Sequence, residues 1–260
     1  LVTFEFVVRP KKSLGQHFLT DVNISRRISD AFQPASNTVV VEIGPGTGAL
    51  TRFLLERNLH PVLIEIDRDS VAYLKEHLPP EKAIIRETDF LETGFDGIGG
   101  DRIALIGNFP YNISSQIFFK VLENRGKVDL VVGMIQKEVA QRIAAPPGNR
   151  TYGILSVLLQ AYYSIKILFH VPPGVFHPPP KVMSSVIRLE RNNTVALDCD
   201  EELFFKVVKR AFQTRRKTLR NALKDLHLPS IVYTLEVMDK RAEQLSVADF
   251  VELIQKIQAA

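Results

Sequence analysis

Four consecutive residues, Asn108-Phe109-Pro110-Tyr111, end an apolar run and bring an amide, a proline carbonyl and a phenol into one tight turn. An exocyclic adenine nitrogen is a poor nucleophile, because its lone pair is delocalised into the ring. Two acceptors, the Asn108 side-chain oxygen and the Pro110 carbonyl, can bind both amino hydrogens and favour a pyramidal nitrogen whose lone pair faces a methyl sulfonium. Tyr111 can stack on the base or on the developing cation. Transfer from a sulfonium needs alignment above all and no strong general base, and alignment can supply roughly 7–11 kcal/mol. The competing reading of the tetrapeptide is a β-to-α turn in which Pro110 stops the strand and Tyr111 packs.

A second constellation lies upstream. Gly44, Gly46 and Gly48 stand at alternate positions in Glu42-Ile-Gly-Pro-Gly-Thr-Gly48, between a strand and a helix, and let a ligand approach backbone N–H groups without meeting side chains. Their Gly-x-Gly-x-Gly spacing departs from the Gly-x-Gly-x-x-Gly fingerprint of dinucleotide sites, which disfavours NAD. Glu65, about 20 residues beyond Gly44 at the end of the next strand, is placed to accept hydrogen bonds from ribose hydroxyls. Asp67 points to the same face if extended, although turn capping suits it better. Asp89, after a third strand, can accept a hydrogen bond from an adenine amino group.

Elements that position these residues follow from the hydrophobic pattern. Apolar runs at 38–43, 62–66, 83–86, 103–107 and 130–135 alternate with helical spacing at 50–57, 70–77 and 115–123, the last with Ser114 as its expected cap. This is the signature of an α/β fold with a mostly parallel sheet covered by helices. Two later runs, 165–169 and 185–189, are joined by a Pro-rich loop too short for a crossover helix and are expected to pair antiparallel. From residue 192 only helical patterns remain, the last opening on a capping box at Ser246. Two domains are expected, 1–191 carrying the catalytic site and 192–260 a smaller all-helical one.

With 45% hydrophobic and 24% charged residues, the chain of 260 has a folded protein's balance. No apolar run approaches the roughly 18 residues of a membrane span. The opening LVTFEFVVRPKK puts its charges after its apolar residues and does not read as a secretion signal; starting at Leu1, it suggests a trimmed chain. A cytoplasmic monomer is expected. The single Cys199 excludes an internal disulfide, and the histidines lack metal-ligand spacing, so no metal site is expected. Net charge is only +4, but residues 206–224 hold eight cations and no acid. Arg210, Arg215, Arg216, Lys217 and Arg220 in that run are candidates for RNA phosphate contacts, with Arg9, Lys11 and Lys12 as a possible extension. A solvated helix face is the plainer reading of such a run.

Five motifs occur together and in order: Gly15-Gln-His-Phe-Leu19, the glycine turn through Thr51, Glu65-Ile-Asp67, Asn108-Phe-Pro-Tyr-Asn-Ile-Ser114 and Phe176-His-Pro-Pro-Pro-Lys-Val182. In these the chain resembles the KsgA/RsmA family of ribosomal RNA adenine dimethyltransferases, from about Arg9 to the C-terminus and including Arg215-Arg-Lys-Thr-Leu-Arg-Asn221. The resemblance implies a Rossmann-like class I methyltransferase fold with seven strands and a helical C-terminal domain. It further implies S-adenosylmethionine contacts from His17, Leu19, Gly44, Glu65, Asp89 and Asn108, and a target base held between Tyr111 and Phe176. Its implied substrate is 16S ribosomal RNA of the small subunit, with a role in ribosome biogenesis. His17 stands where the family more often has Asn, and Phe109 where it often has Leu. Two other readings stay open: a large-subunit adenine dimethyltransferase of the macrolide-resistance type, and an RNA-binding assembly factor that scarcely uses catalysis.

Overall fold

The computed structural model describes residues 8–93 and 95–260; most of the segment weighed as a secretion signal therefore lies outside the described residues. In chain order the elements are β1 (Phe18–Leu19), α1 (Val22–Ala31), β2 (Val39–Ile43), α2 (Thr51–Glu56), β3 (Val62–Glu65), α3 (Arg68–His77), β4 (Ile84–Glu87), β5 (Ile103–Asn108) and α4 (Ser114–Glu123). They continue with β6 (Val128–Gln136), α5 (Lys137–Ala144), α6 (Ile154–Gln160), β7 (Tyr163–Val171), β8 (Phe176–His177), β9 (Ser184–Arg191), α7 (Glu201–Gln213), α8 (Leu219–Ala222) and α9 (Val247–Gln258). Among the described residues no helix is long and apolar enough to cross a membrane.

The chain divides into two compact units, one formed by the chain to Ala140 together with Lys166–Glu190, the other by Gln141–Ile165 together with Arg191–Ala260. The single break expected at 191/192 thus becomes a discontinuous division. Its cause is α6, whose Leu155, Val157, Leu158 and Leu159 are all buried. A helix apolar on most sides needs a core around it, and it packs against α7 and α9.

In the first unit seven strands form one sheet in the order β4-β3-β2-β5-β6-β9-β7. The first five are parallel, and β9 runs antiparallel to β6. Strands β2, β5 and β6 are nearly continuous apolar runs because helices cover both faces. Strand order reverses between β2 and β5, so the crevice beyond Ile43 and Asn108 is the topological switch point where such sheets bind ligands. A separate two-stranded ribbon pairs β1 with β8, setting Leu19 opposite Phe176 and joining two motifs far apart in sequence.

Helix α1 was not anticipated, although Asp21 caps it by accepting the Asn23 and Ile24 N–H groups and Ile24 and Ile28 share its inner face. Ser114 is not the cap of α4. The preceding turn, closed by the Ile113 N–H on the Pro110 carbonyl (3.2 Å), makes Ile113 the N-cap; Ser114 is the first helical residue and its hydroxyl donates to the Tyr111 carbonyl (3.2 Å).

Phe109, 1% exposed, fixes the Asn108–Tyr111 turn to the sheet. Its ring lies over Gly107 and Gly133, which face each other across β5 and β6, and meets Phe118 edge-on at 6.1 Å. A methyl at Gly133 would stand 2.4 Å from the ring, and one at Gly107 would also stand 2.5 Å from the Ile43 carbonyl oxygen. Glu42 sits inside β2, 1% exposed, with the Thr51 hydroxyl donating to its Oε2 (2.8 Å). Burial pushes its carboxyl up to about 8.

In the second unit α7 buries Phe204, Val207, Val208, Ala211 and Phe212 as its spacing indicates, capped by Asp200 on the Leu203 N–H (2.9 Å). Helix α9 opens on the expected box, the Ser246 hydroxyl accepting from Asp249 N–H and Asp249 accepting from Ser246 N–H.

Gly133→Ala is expected to destabilise the protein by about 1–3 kcal/mol in urea titrations through overpacking. Phe109→Leu in the same chain should recover part of that loss, whereas Gly107→Ala should resist rescue because a backbone oxygen blocks it. Strict additivity of Gly133→Ala and Phe109→Leu would contradict this packing. For Glu42, a native value of about 8 against an ordinary 4.5 means that the folded chain keeps a proton the unfolded chain releases between those pH values. Its contribution to stability therefore falls as pH rises through that window. Glu42→Gln should flatten this fall in denaturation midpoints measured from pH 5 to 8, and an unchanged slope would count against it.

Candidate active site

Glycine geometry at the switch point follows the sequence reading. Gly44 and Gly46 adopt φ of 65° and 57°, in the left-handed region that favours glycine. At Gly46 the space is also taken, because a Cβ there would lie 2.8 Å from the Phe18 ring. The Gly46 N–H donates to Glu65 Oε2 (2.9 Å), tying the turn to the end of β3.

Glu65, 4% exposed, accepts on its other oxygen from the Ile66 (3.0 Å) and Asp67 (2.9 Å) N–H groups. Burial pushes its carboxyl up, opposed by these donors. Three of about four lone-pair positions are used, which leaves an acceptor for a hydroxyl. Asp67 does cap α3, through the Asp69 N–H, and is gripped from the N-terminal segment by Lys11 and by Gln16 Nε2 (3.0 Å). Against the upward push of burial, these bonds hold its carboxyl below the ordinary range. Asp89 spends Oδ1 on the Leu91 N–H (2.7 Å).

Asn108 closes β5 and donates Nδ2 to the His17 carbonyl (2.8 Å). A carbonyl only accepts, so this contact orients the amide and turns Oδ1 away from His17. The Pro110 carbonyl takes one hydrogen bond from Ile113 and keeps a second lone pair. Both acceptors that the sequence reading expects at an amino group thus have free capacity. Tyr111 is anchored by a hydrogen bond between its hydroxyl and Ser184, and burial pushes the phenol up, so it stays neutral at physiological pH.

His17 offers its backbone to Asn108, while its ring turns to the Pro178 carbonyl, to which Nδ1–H donates (2.7 Å), and to Tyr111 at 5.3 Å between ring centres. Leu19, Gly44 and Asn108 line one small cavity together with Glu42. Phe176 is buried and borders a larger cavity of about 820 Å³ with Phe18, Leu19 and Gly48, whereas Tyr111 borders another of about 420 Å³. The structure therefore joins Gly44, Gly46, Glu65, Asn108, His17 and Leu19 directly, and does not bring Phe176 and Tyr111 to one described cavity.

Residues to which the sequence reading gave no part in this site are Glu42, Gln16, Ser184 and Lys11, the last read only as an extension of the RNA surface. For Glu42 a signal existed, an acid inside an otherwise apolar strand immediately before the glycine turn. For the others none did, since their partners lie tens of residues away.

In the second unit most of the basic candidates have intramolecular partners. Arg210 pairs with Asp225, Arg220 with Asp239 (2.7 Å), and Arg215 donates to the Arg150 (2.7 Å) and Tyr152 (2.9 Å) carbonyls. Arg216 and Lys217 are exposed, without an ion-pair partner among the described residues. In the first unit Lys11 is committed to Asp67 and Asp69.

Comparison with known proteins identifies the family. The family model described as ribosomal RNA adenine dimethylase matches residues 7–259. The chain is 54% identical over 248 residues to the ribosomal RNA small subunit methyltransferase A of Cytophaga hutchinsonii, an alignment covering 95% of this chain and 96% of that one. Among solved structures it is similar to a dimethyladenosine transferase from Plasmodium falciparum, at 26% identity and a TM-score of 0.80, covering 94% of this chain and 98% of the other. The 23S rRNA methyltransferase ErmE shares the fold at 24% identity and a TM-score of 0.68, with 92% and 99% covered. With the family model spanning nearly its whole length and a relative 54% identical over 95% of it, the chain belongs to the ribosomal RNA adenine dimethylases, which are S-adenosylmethionine-dependent methyltransferases.

Proposed function

We propose that this enzyme dimethylates the exocyclic amino group of adenosines in a loop of small-subunit (16S) ribosomal RNA, during ribosome biogenesis in the cytoplasm and as a single chain. The observation that carries the reading is the amide of Asn108, whose Nδ2 is committed to the His17 carbonyl so that Oδ1 is left as an acceptor, two residues before a Pro110 carbonyl that keeps a lone pair of its own. The small-subunit assignment is supported by the name of the relative at 54% identity.

S-adenosylmethionine supplies an electrophilic methyl group when bound. Glu65, with a remaining acceptor, suits its ribose hydroxyls; the left-handed turn at Gly44 and Gly46, with Leu19, Asp89 and the His17 segment, makes the rest of the donor and acceptor set. Asn108 Oδ1 and the Pro110 carbonyl each accept one amino hydrogen and localise the nitrogen lone pair. Tyr111 supports the ring, and Phe176 is assigned to the other side of the base. The first transfer replaces one amino hydrogen by methyl, the displaced proton passing to water, so only one N–H is left and one acceptor loses its partner. The adenosine must leave its stack to reach this turn, which favours loops over helices. The helical unit contributes phosphate contacts, for which Arg216 and Lys217 are the candidates without an ion-pair partner among the described residues, while Arg210, Arg215 and Arg220 shape the surface that presents them.

Incubation with radiolabelled S-adenosylmethionine and undermethylated small or large subunits tests the assignment. Label is expected in small-subunit adenosines; label confined to large subunits would overturn the substrate. Asn108→Ala should lower kcat by roughly 10²–10³-fold, the cost of removing one preorganised polar contact, with RNA affinity nearly unchanged. Equal turnover by that variant would refute the role of the amide.

A further inference from the structure

The cleft of about 420 Å³ beside Tyr111 has flat walls, made by the His17 and Tyr111 rings and by Pro178-Pro179-Pro180, with Lys12 and Lys181 also lining it. Asn108 and Pro110, the acceptors assigned to the reacting amino group, do not line it. It adjoins the reaction site through Tyr111 and is distinct from it. Its size lies within the roughly 300–1,000 Å³ of small-ligand sites.

Its walls are held in place before any ligand arrives. Ser184 fixes the Tyr111 hydroxyl, and the Pro178 carbonyl fixes the His17 ring at 2.7 Å, with the two rings 5.3 Å apart and tilted by 32°. The charge at the cleft is of one sign. No carboxylate lines it, and Lys12 and Lys181 are exposed and have no ion-pair partner among the described residues. Val182, next to Lys181, also lines the cleft and is 44% exposed. Aromatic faces beside free cations are the combination that binds unstacked single-stranded nucleotides, the ring taking the base and the cation the phosphate.

We propose that this cleft binds the nucleotide adjacent to the target adenosine, its base against His17 and the prolines beside Tyr111 and its phosphate at Lys12 and Lys181. The proposal rests on the ribosomal RNA adenosine reading above and adds a positioning site to it. A strand gripped one nucleotide from the reacting base keeps that base out of its stack. Lys12 and Lys181 are positioning residues in this scheme, since they touch the strand and not the reacting atoms.

Methylation of undermethylated small subunits by the full chain, measured at several salt concentrations, tests it with the double variant Lys12→Ala/Lys181→Ala and the double variant Lys12→Arg/Lys181→Arg. For the alanine pair the KM for subunits should rise about tenfold. The slope of log KM against log salt should fall by roughly 0.7 for each single-strand phosphate that is no longer neutralised. S-adenosylmethionine affinity, measured by calorimetry, should match the wild type, and the arginine pair should restore most of the KM. An alanine pair with unchanged KM and salt slope, beside an active wild type, would overturn the cleft alone. A KM rise that arginine does not restore and that is matched by weakened cofactor affinity would overturn it as a structural effect. Wild-type protein that labels no small subunits would defeat the reading of function, and this proposal with it.

Discussion

The hydrogen bond from Asn108 Nδ2 to the His17 carbonyl decides which end of one carboxamide is left free, and in the reaction proposed above that end meets the target amino group. Its net worth is about 0.5–1.5 kcal/mol, but the alternative is worse than its absence. Rotating the amide would set two oxygens against each other, each without a donor. With the NH₂ end committed, the oxygen is kept as an acceptor, and an acceptor is what an adenine amino group requires. Without that constraint an asparagine at the end of a strand would be as ready to donate as to accept.

What makes the His17 carbonyl reliable is the way its segment is braced. Lys11 and Gln16 grip Asp67 at the end of β3, the Lys11 N–H donates to Gln16 Oε1 (2.7 Å), and the β1–β8 pairing holds Phe18 and Leu19 against His177 and Phe176. One short stretch of chain thus spans the switch point from β3 to β5. Phe109 holds the other side, its ring seated on a pair of facing glycines so that the turn on either side of it projects from the sheet. Buried Glu42 and Glu65 stand beside the glycine turn, both with carboxyls pushed up by burial, in keeping with the clustering of perturbed groups at functional sites.

Much of this was legible in the sequence because it is local. Strand and helix spacing, three glycines that need left-handed φ, and an Asn-Phe-Pro-Tyr turn each announce themselves within a few residues. The rest depends on partners that leave no local trace. A backbone carbonyl at His17 has no residue signature, so its hold on Asn108 was invisible. The basic run of 206–224 read as a uniform charged face, yet Arg210, Arg215 and Arg220 find acceptors in Asp225, the 150–152 segment and Asp239. Chain order suggested a single boundary between domains, and only packing shows that α6 belongs to the helical core. The spacing of Ser114 suggested a cap, but the Pro110 turn closes at Ile113 and the helix begins one residue earlier, at Ser114 itself.

The central claim is geometric, and a crystal structure of the enzyme with S-adenosylhomocysteine and an adenosine-bearing RNA tests it most directly. The target amino nitrogen is expected to lie roughly 2.7–3.2 Å from both Asn108 Oδ1 and the Pro110 carbonyl oxygen, with Nδ2 still on His17. A carboxamide turned so that its NH₂ end meets the base, or an adenine bound away from this turn, would contradict it.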